Sequence, residues 1–386
     1  MVAETPIPDW QPLSLAVQEN QVAAYDAQRE RCPVAFSDAL QWSFLAHDDV
    51  CRALEDHATF SNAVSKNAGV PNGNDPPDHA VYRKAIEPHL GPERIAWFTP
   101  ICQAIAADQV AAAVAADEDD LMKTLARPFA VRTQCAFLGW PDSWHAPLID
   151  WSEASARATR QSDGAALATV ASAFEDFIAD AIRTRHDAEA GPNADVTAAL
   201  MHEIVWGRPL SQREITGILR NWTAGEIGTI SAAIGIIVQF LVERPDIQRQ
   251  LRREPDHLPA AIDEILRLHN PLRSNRRITT CPVKVGGRDI PAQARITLNW
   301  IAANRDPAAF DDPSQFRLDR SPDKNLLFGK GIHACPGAAL SRLELLEVVR
   351  ALFAQTADLQ PTERRPTHAS YPGAGFSDLP IRCLPS

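Results

Sequence analysis

Residues 328–337 read Phe-Gly-Lys-Gly-Ile-His-Ala-Cys-Pro-Gly, which sets one thiol, Cys335, among three glycines, a histidine and a proline. Glycine weakens regular structure and proline withholds a donor. The stretch therefore reads as a loop shaped to let something approach both its backbone and its sulfur. The run that follows, Ala338 through Phe353, has a helical pattern. Cys335 is thus expected at a helix N-terminus, where the dipole and unpaired N–H groups favour thiolate over thiol. A thiolate bordered by glycines suits a flat macrocycle lying against the loop. Haem is the macrocycle whose iron takes a cysteine thiolate, and the sulfur then pushes electron density toward the metal.

Two plainer readings compete. Residues 329–334, Gly-Lys-Gly-Ile-His-Ala, loosely match a dinucleotide-binding loop. The segment before them, Arg320 to Phe328, is no βαβ-type strand, and Pro336 spoils the helix start, so this reading is rejected. A lone cysteine is also commonly an inert small hydrophobe. The spacing of its neighbours argues against that.

Phe328, Gly331, Cys335 and Gly337 fill the pattern F-x-x-G-x-x-x-C-x-G, and on these residues the chain resembles the cytochrome P-450 (haem-thiolate monooxygenase) superfamily. Glu264-Ile-Leu-Arg267 matches that family's E-x-x-R. Residues 75–83 resemble its helix across the haem edge, and residues 32–63 its N-terminal sheet region. The likeness runs from about residue 28 to the end, in the manner of soluble bacterial members. It implies haem b with Cys335 as the iron ligand, and Phe328 and Gly329 in the haem loop. Two buried propionates need cations. His79 and Arg83, four apart and so on one helix face, supply two, and Arg277 and His333 match further propionate positions. Glu264 and Arg267 are implied as a buried structural pair closed by a third basic residue. Gln315 stands at that third position with Arg317 nearby, so a modified network is expected.

On the oxygen side, family members carry A-G-x-[Asp/Glu]-Thr in the long helix. Here Ala224-Gly225 is followed by Ile227 at the acid position and Gly228 at the threonine position, with Glu226 and Thr229 each displaced by one residue. One residue on a helix turns a side chain by about 100°. Three readings stay open: local unwinding at Gly225 and Gly228 restores Glu226 and Thr229 as catalytic groups, ordered water and a polar substrate group carry the protons, or the enzyme uses peroxide or does something other than insert oxygen. The first two preserve monooxygenase chemistry, and an altered relay is the favoured reading. Arg273 lies four before Arg277, where an apolar residue is more usual, and with Arg220 and Asn221 it is a candidate substrate contact. A cation there favours a polar or anionic small organic substrate. No nicotinamide, flavin or iron–sulfur motif is present, so an external donor is implied, a ferredoxin or flavodoxin with its reductase. Lys324, Lys330 and Arg342 could meet it. A peroxide-driven peroxygenase and a haem-binding protein without turnover are the alternatives.

These residues need a scaffold. The 386 residues, 45% hydrophobic and 23% charged, suit a soluble globular chain, and the net charge of -11 argues against a nucleic-acid surface. Seven scattered cysteines without a C-x-x-C pair point to a reducing, cytoplasmic setting rather than disulfides or zinc. The N-terminus has neither a basic start nor a continuous apolar stretch, so no signal or anchor is expected. The most apolar window, 227–242, reads as a buried central helix rather than a membrane span. Ser211 and Glu214 form a capping box opening a helix over 211–243, and 258–269 is a second helix ended by Pro271. Strand alternation is confined to 282–300, around Gly286-Gly287. The expectation is a mainly α, single-domain cytochrome P-450 fold over 1–386 with a small β region. Its haem would lie between the long helix (211–243) and the cysteine loop (328–337).

Overall fold

The structure, a computed structural model, describes residues 7–64, 69–161, 163–185 and 195–386. In chain order the strands that matter here are β1 (Val34–Ser37), β2 (Gln41–Phe44), β3 (Phe60–Ser61), β4 (Ser274–Thr279) and β5 (Arg295–Asn299). The helices are α1 (His47–Glu55), α2 (Asp78–Ile86), α3 (Pro92–Ala115), α4 (Arg127–Leu138), α5 (Gln212–Glu243), α6 (Leu258–His269) and α7 (Ala338–Gln355). The chain divides into two compact units. The first joins residues up to Ala68 to Asp263–Cys335, and the second joins Gly69–Ile262 to Pro336–Ser386.

The first unit is built on a five-stranded sheet in the order β1-β2-β5-β4-β3. β2 and β5 run parallel, with Trp42 beside Ile296 and Phe44 beside Leu298, and the other neighbours are antiparallel. Trp42, Phe44, Phe60, Ile296, Leu298 and Trp300 pack with Leu54 of α1 into its apolar core. The alternation read within 282–300 is therefore too narrow, whereas β1, β2 and β3 all fall within 32–63, where the resemblance implied a sheet region. Val283–Val285 and Arg288–Ile290 form a separate hairpin, while β5 joins β1 and β2 from the N-terminal region. β1 is buried at all four residues, so it carries none of the alternation that marks a half-exposed strand. Two further two-stranded sheets pair Thr356–Pro361 with Ile381–Pro385, and Thr367–His368 with Phe376–Asp378.

The second unit is helical. α3 packs on α7, and α5 packs on α4 and α7. The capping box is present: Ser211 Oγ accepts from Glu214 N–H, and the Glu214 carboxylate accepts from Ser211 N–H at 2.7 Å. Arg208 and the Tyr82 hydroxyl also donate to Glu214, and chiefly the guanidinium holds that carboxyl well below the usual range. α3 and α5 are both long and apolar enough to cross a membrane. The apolar residues of α5, among them Ile218, Ile234 and Leu241, are buried, as a core helix requires.

Candidate functional site

In the first unit the cysteine loop is held by its own backbone. Cys335 N–H donates to Phe328 O at 2.8 Å, and Gly329 N–H to Leu326 O at 3.0 Å. Leu326 is buried, and its N–H is taken by Asn304 Oδ1 at 2.8 Å. Gly329 and Gly331 both sit at φ +71, a region costly for residues with a Cβ. A side chain at Gly331 would collide with Leu54 O of α1, and one at Gly329 would lie 3.9 Å from the Trp300 ring. Phe328 and Gly329 are half-buried and Cys335 is exposed. Cys102 and Cys135 are buried, and burial pushes their thiols up, Cys135 to about 12. Cys281 is the other exposed thiol, but it has none of this glycine framework.

In the same unit Glu264 and Arg267, on α6, form a fully buried pair with bonds of 2.7 and 2.8 Å. The third cation is Arg320, whose Nε donates to Glu264 Oε1 at 2.8 Å. Neither side chain expected there takes part. Gln315 contributes only its carbonyl, which accepts from Arg267 and Arg320. Arg317 contributes its backbone N–H to Glu264, and its guanidinium pairs with Asp319. Arg320 went unseen because an irregular loop has no period from which to read a distance. The long arginine reaches back to bind Asp311 O and Asp312 O as well.

The remaining residues of this unit fall as follows. Arg277, on β4, is buried and donates to Arg276 O at 2.8 Å. His333 ends the short 3-10 turn Gly331–His333 and is half-buried. Arg273 is 1% exposed and donates to Gln18 Oε1. Lys330 is paired with Glu55 at 2.7 Å, and Lys324 donates to Ala309 O.

In the second unit His79 and Arg83 lie one turn apart on α2. His79 is buried, and Arg83 Nε donates to Glu87 Oε1 at 2.8 Å. α5 is unbroken from Gln212 to Glu243, so Glu226 and Thr229 keep their helical offset and no local unwinding occurs. The helix is buried on either side of an open stretch: Ala224, Gly225 and Gly228 are exposed, and a Cβ at either glycine would meet nothing within 4 Å. Thr229 Oγ1 donates to Gly225 O at 2.5 Å. Arg220 and Asn221, a turn earlier, are half-buried, and Asn221 Nδ2 donates to Val70 O at 3.0 Å.

Glu226 turns its carboxyl inward against Glu344 of α7. Oε1 of Glu226 and both oxygens of Glu344 are buried without a donor. Thr133 stands beside Glu344, but its hydroxyl donates to Phe129 O and Ala130 O. Two carboxylates cannot bond each other, so the pair is satisfied only when one carries a proton. Burial first, then the Glu226 charge, raises Glu344 well above the ordinary value, and burial raises Glu226. The signal for Glu344 was in the sequence: it interrupts an apolar stripe running through Leu340 and Val348.

Two outcomes follow from these networks. Arg320→Ala strips Glu264 of a charged donor and should lower stability by about 2 kcal/mol, read from the urea midpoint. The raised carboxyls favour the folded state fully below the ordinary value of 4.5 and lose that contribution as pH rises through the folded values. Glu344→Gln should therefore flatten the alkaline fall in melting temperature. A variant that melts in parallel with the parent at every pH would contradict the shared proton.

The sequence profile described as cytochrome P450 matches residues 145–377. Erythromycin C-12 hydroxylase of Saccharopolyspora erythraea is 30% identical over 368 residues, which is 92% of each chain. Cyclomarin C epoxidase of Salinispora arenicola is 28% identical, over 83% of this chain and 85% of that one. The solved structure of the open cytochrome P450 EryK from S. erythraea matches with a TM-score of 0.87 at 27% identity, covering 96% of this chain and 98% of that one. The cysteine loop, the helical architecture and these relatives agree: this chain belongs to the cytochrome P450 family and is a monooxygenase-type oxidoreductase with haem on a cysteine thiolate.

Proposed function

We propose that the chain is a single haem b domain, cytoplasmic, that oxidises an organic substrate by hydroxylation or dealkylation with O2 and electrons from a separate donor. The observation that carries this reading is the exposed Cys335 thiol on a loop shaped by two glycines at positive φ. The residues present fit the group. Gly225 and Gly228 leave a side-chain-free stretch on a helix otherwise buried, which suits a flat ligand with room above it. No C-x-x-C-H attachment motif occurs, which favours haem b over covalently attached haem. Unbridged cysteines agree with a reducing compartment.

Cys335 would hold the iron as thiolate, with Phe328 and Gly329 in the loop around it. Arg277, His333, His79 and Arg83 would supply cations to the two propionates, and Arg83 would leave or share Glu87 to do so. When bound, haem activates O2 with two electrons and two protons, one oxygen atom entering the substrate and the other leaving as water. Thr229 would pass a proton through its oxygen, which can still accept while its hydrogen serves Gly225 O. Glu226, whose carboxyl is turned inward against Glu344, would have to swing back toward the open stretch to hand on its proton. Water in the space at Ala224, Gly225 and Gly228 would complete the altered relay. A ferredoxin or flavodoxin with its reductase is the donor proposed, since the sequence holds no cofactor loop of its own.

Arg273, Arg220 and Asn221 are the proposed substrate residues. The relatives named for erythromycin and cyclomarin support a bulky natural product as readily as a small one. Arg273, bonded to the neutral amide of Gln18, would favour an acidic group that can displace it. Titration with carboxylic acids, followed by the Soret shift, should show tighter binding to the parent than to Arg273→Leu. Equal binding would remove the anionic preference.

A peroxide-driven enzyme is the second reading, favoured by Ile227 and Gly228 where the family's acid and alcohol stand. A haem protein without turnover would form no product with either oxidant. Reduced protein under carbon monoxide should give the long-wavelength band of thiolate-ligated haem, and Cys335→Ala should abolish it. Product with O2 and a reductase system supports the monooxygenase. Product with hydrogen peroxide alone supports the rival.

A further inference from the structure

Gly217, Asn221, Ala224, Gly225 and Gly228 recur at helical spacing and form one narrow stripe along α5. The stripe is covered at one end and open at the other: Gly217 is buried, Asn221 half-buried, and Ala224, Gly225 and Gly228 exposed. The cover is the turn Gly69–Asn74, closed on itself by Gly73 N–H to Gly69 O at 2.8 Å and Asn74 N–H to Pro71 O at 2.9 Å. A Cβ at Gly217 would lie 3.5 Å from Val70 N, so the turn rests directly on the helix there. Asn221 is where it stops. The amide Nδ2 donates to Val70 O at 3.0 Å, and a Cβ at Gly69 would come within 2.7 Å of Nδ2 and 2.8 Å of Oδ1. Glycine at 69 and the amide at 221 are thus fitted to each other.

We propose that Asn221 is a positioning residue that sets the size of molecule accepted over α5. By holding Val70 O it fixes where the Gly69–Asn74 turn ends, and so the wall at the near end of the open stretch. This rests on the reading that the open stretch faces the substrate, and it revises the direct substrate contact proposed for Asn221. A longer substrate must displace the turn and break the bond, while a short one need not. Discrimination by length then comes from one hydrogen bond and the close packing of Gly69.

Asn221→Asp tests this in the haem-loaded full chain, because it keeps the shape and replaces the donor with a carboxylate that cannot bond Val70 O and repels it. Amide hydrogen exchange at residues 70–74 should accelerate roughly tenfold, as loss of one net hydrogen bond predicts. Binding of two haem-ligating azoles, small 1-phenylimidazole and bulky clotrimazole, is read from the Soret shift. The variant should gain affinity for clotrimazole relative to 1-phenylimidazole, again by roughly tenfold. Unchanged exchange or an unchanged ratio overturns the proposal. Weaker binding of both azoles with unchanged exchange would make Asn221 a direct contact instead. The carbon monoxide band of the parent separates the two levels: its absence defeats the haem-thiolate reading, whereas its presence with an unmoved ratio defeats only this one. If Asn221→Asp does not fold, Gly69→Ala presses on the same amide from the other side and must produce the same two changes.

Discussion

A Cβ at Gly331 would strike Leu54 O, and that one steric fact governs the cysteine loop. The loop has few side chains with which to pack, so backbone must lie on backbone. Positive φ at Gly329 and Gly331 makes the close approach possible, and Cys335 N–H to Phe328 O closes the turn. Cys335 is then left exposed on a loop held largely by backbone bonds. In the same unit Glu264, Arg267 and Arg320 form a buried charged brace whose bonds also reach the carbonyls of Asn304, Pro313 and Asp311. Such a group costs desolvation, and it persists because each ion is hydrogen-bonded several times over. What it secures is backbone position rather than raw stability.

The second unit solves a different problem. α5 is apolar enough to serve as a core helix, yet it opens at Ala224, Gly225 and Gly228 where small residues leave volume rather than contact. Removing side chains forfeits packing energy, so packing alone does not account for the opening. The carboxyl of Glu226 leaves that opening for the interior. It finds Glu344 there, and a proton between two acids does what a cation does elsewhere in the molecule.

The two polar clusters therefore differ in pH logic. The Glu264 brace is satisfied by arginines, which stay charged over the whole working range. The Glu226–Glu344 pair depends on a proton and weakens in alkali. Each sits where main-chain elements must hold register, the first between α6 and the 304–320 segment and the second between α5 and α7.

Local signals were legible in the sequence because they obey short-range rules. The cysteine pattern, the Ser211 capping box, the bounds of α5 and α6 and the E-x-x-R pair all follow from spacing within a few residues, where helix geometry or glycine conformation leaves little choice. Membership of the family rested on the same residues. Interactions between distant segments were not legible. Arg320 rather than Gln315 completes the brace, β1 and β2 join β5, Glu226 faces Glu344, and Asn221 spends its amide on Val70. Each of these joins residues separated by tens to hundreds of positions, and no periodicity carries that distance. Sequence determined which chemistry the chain can hold, and tertiary packing decided which partner each charged or polar group meets.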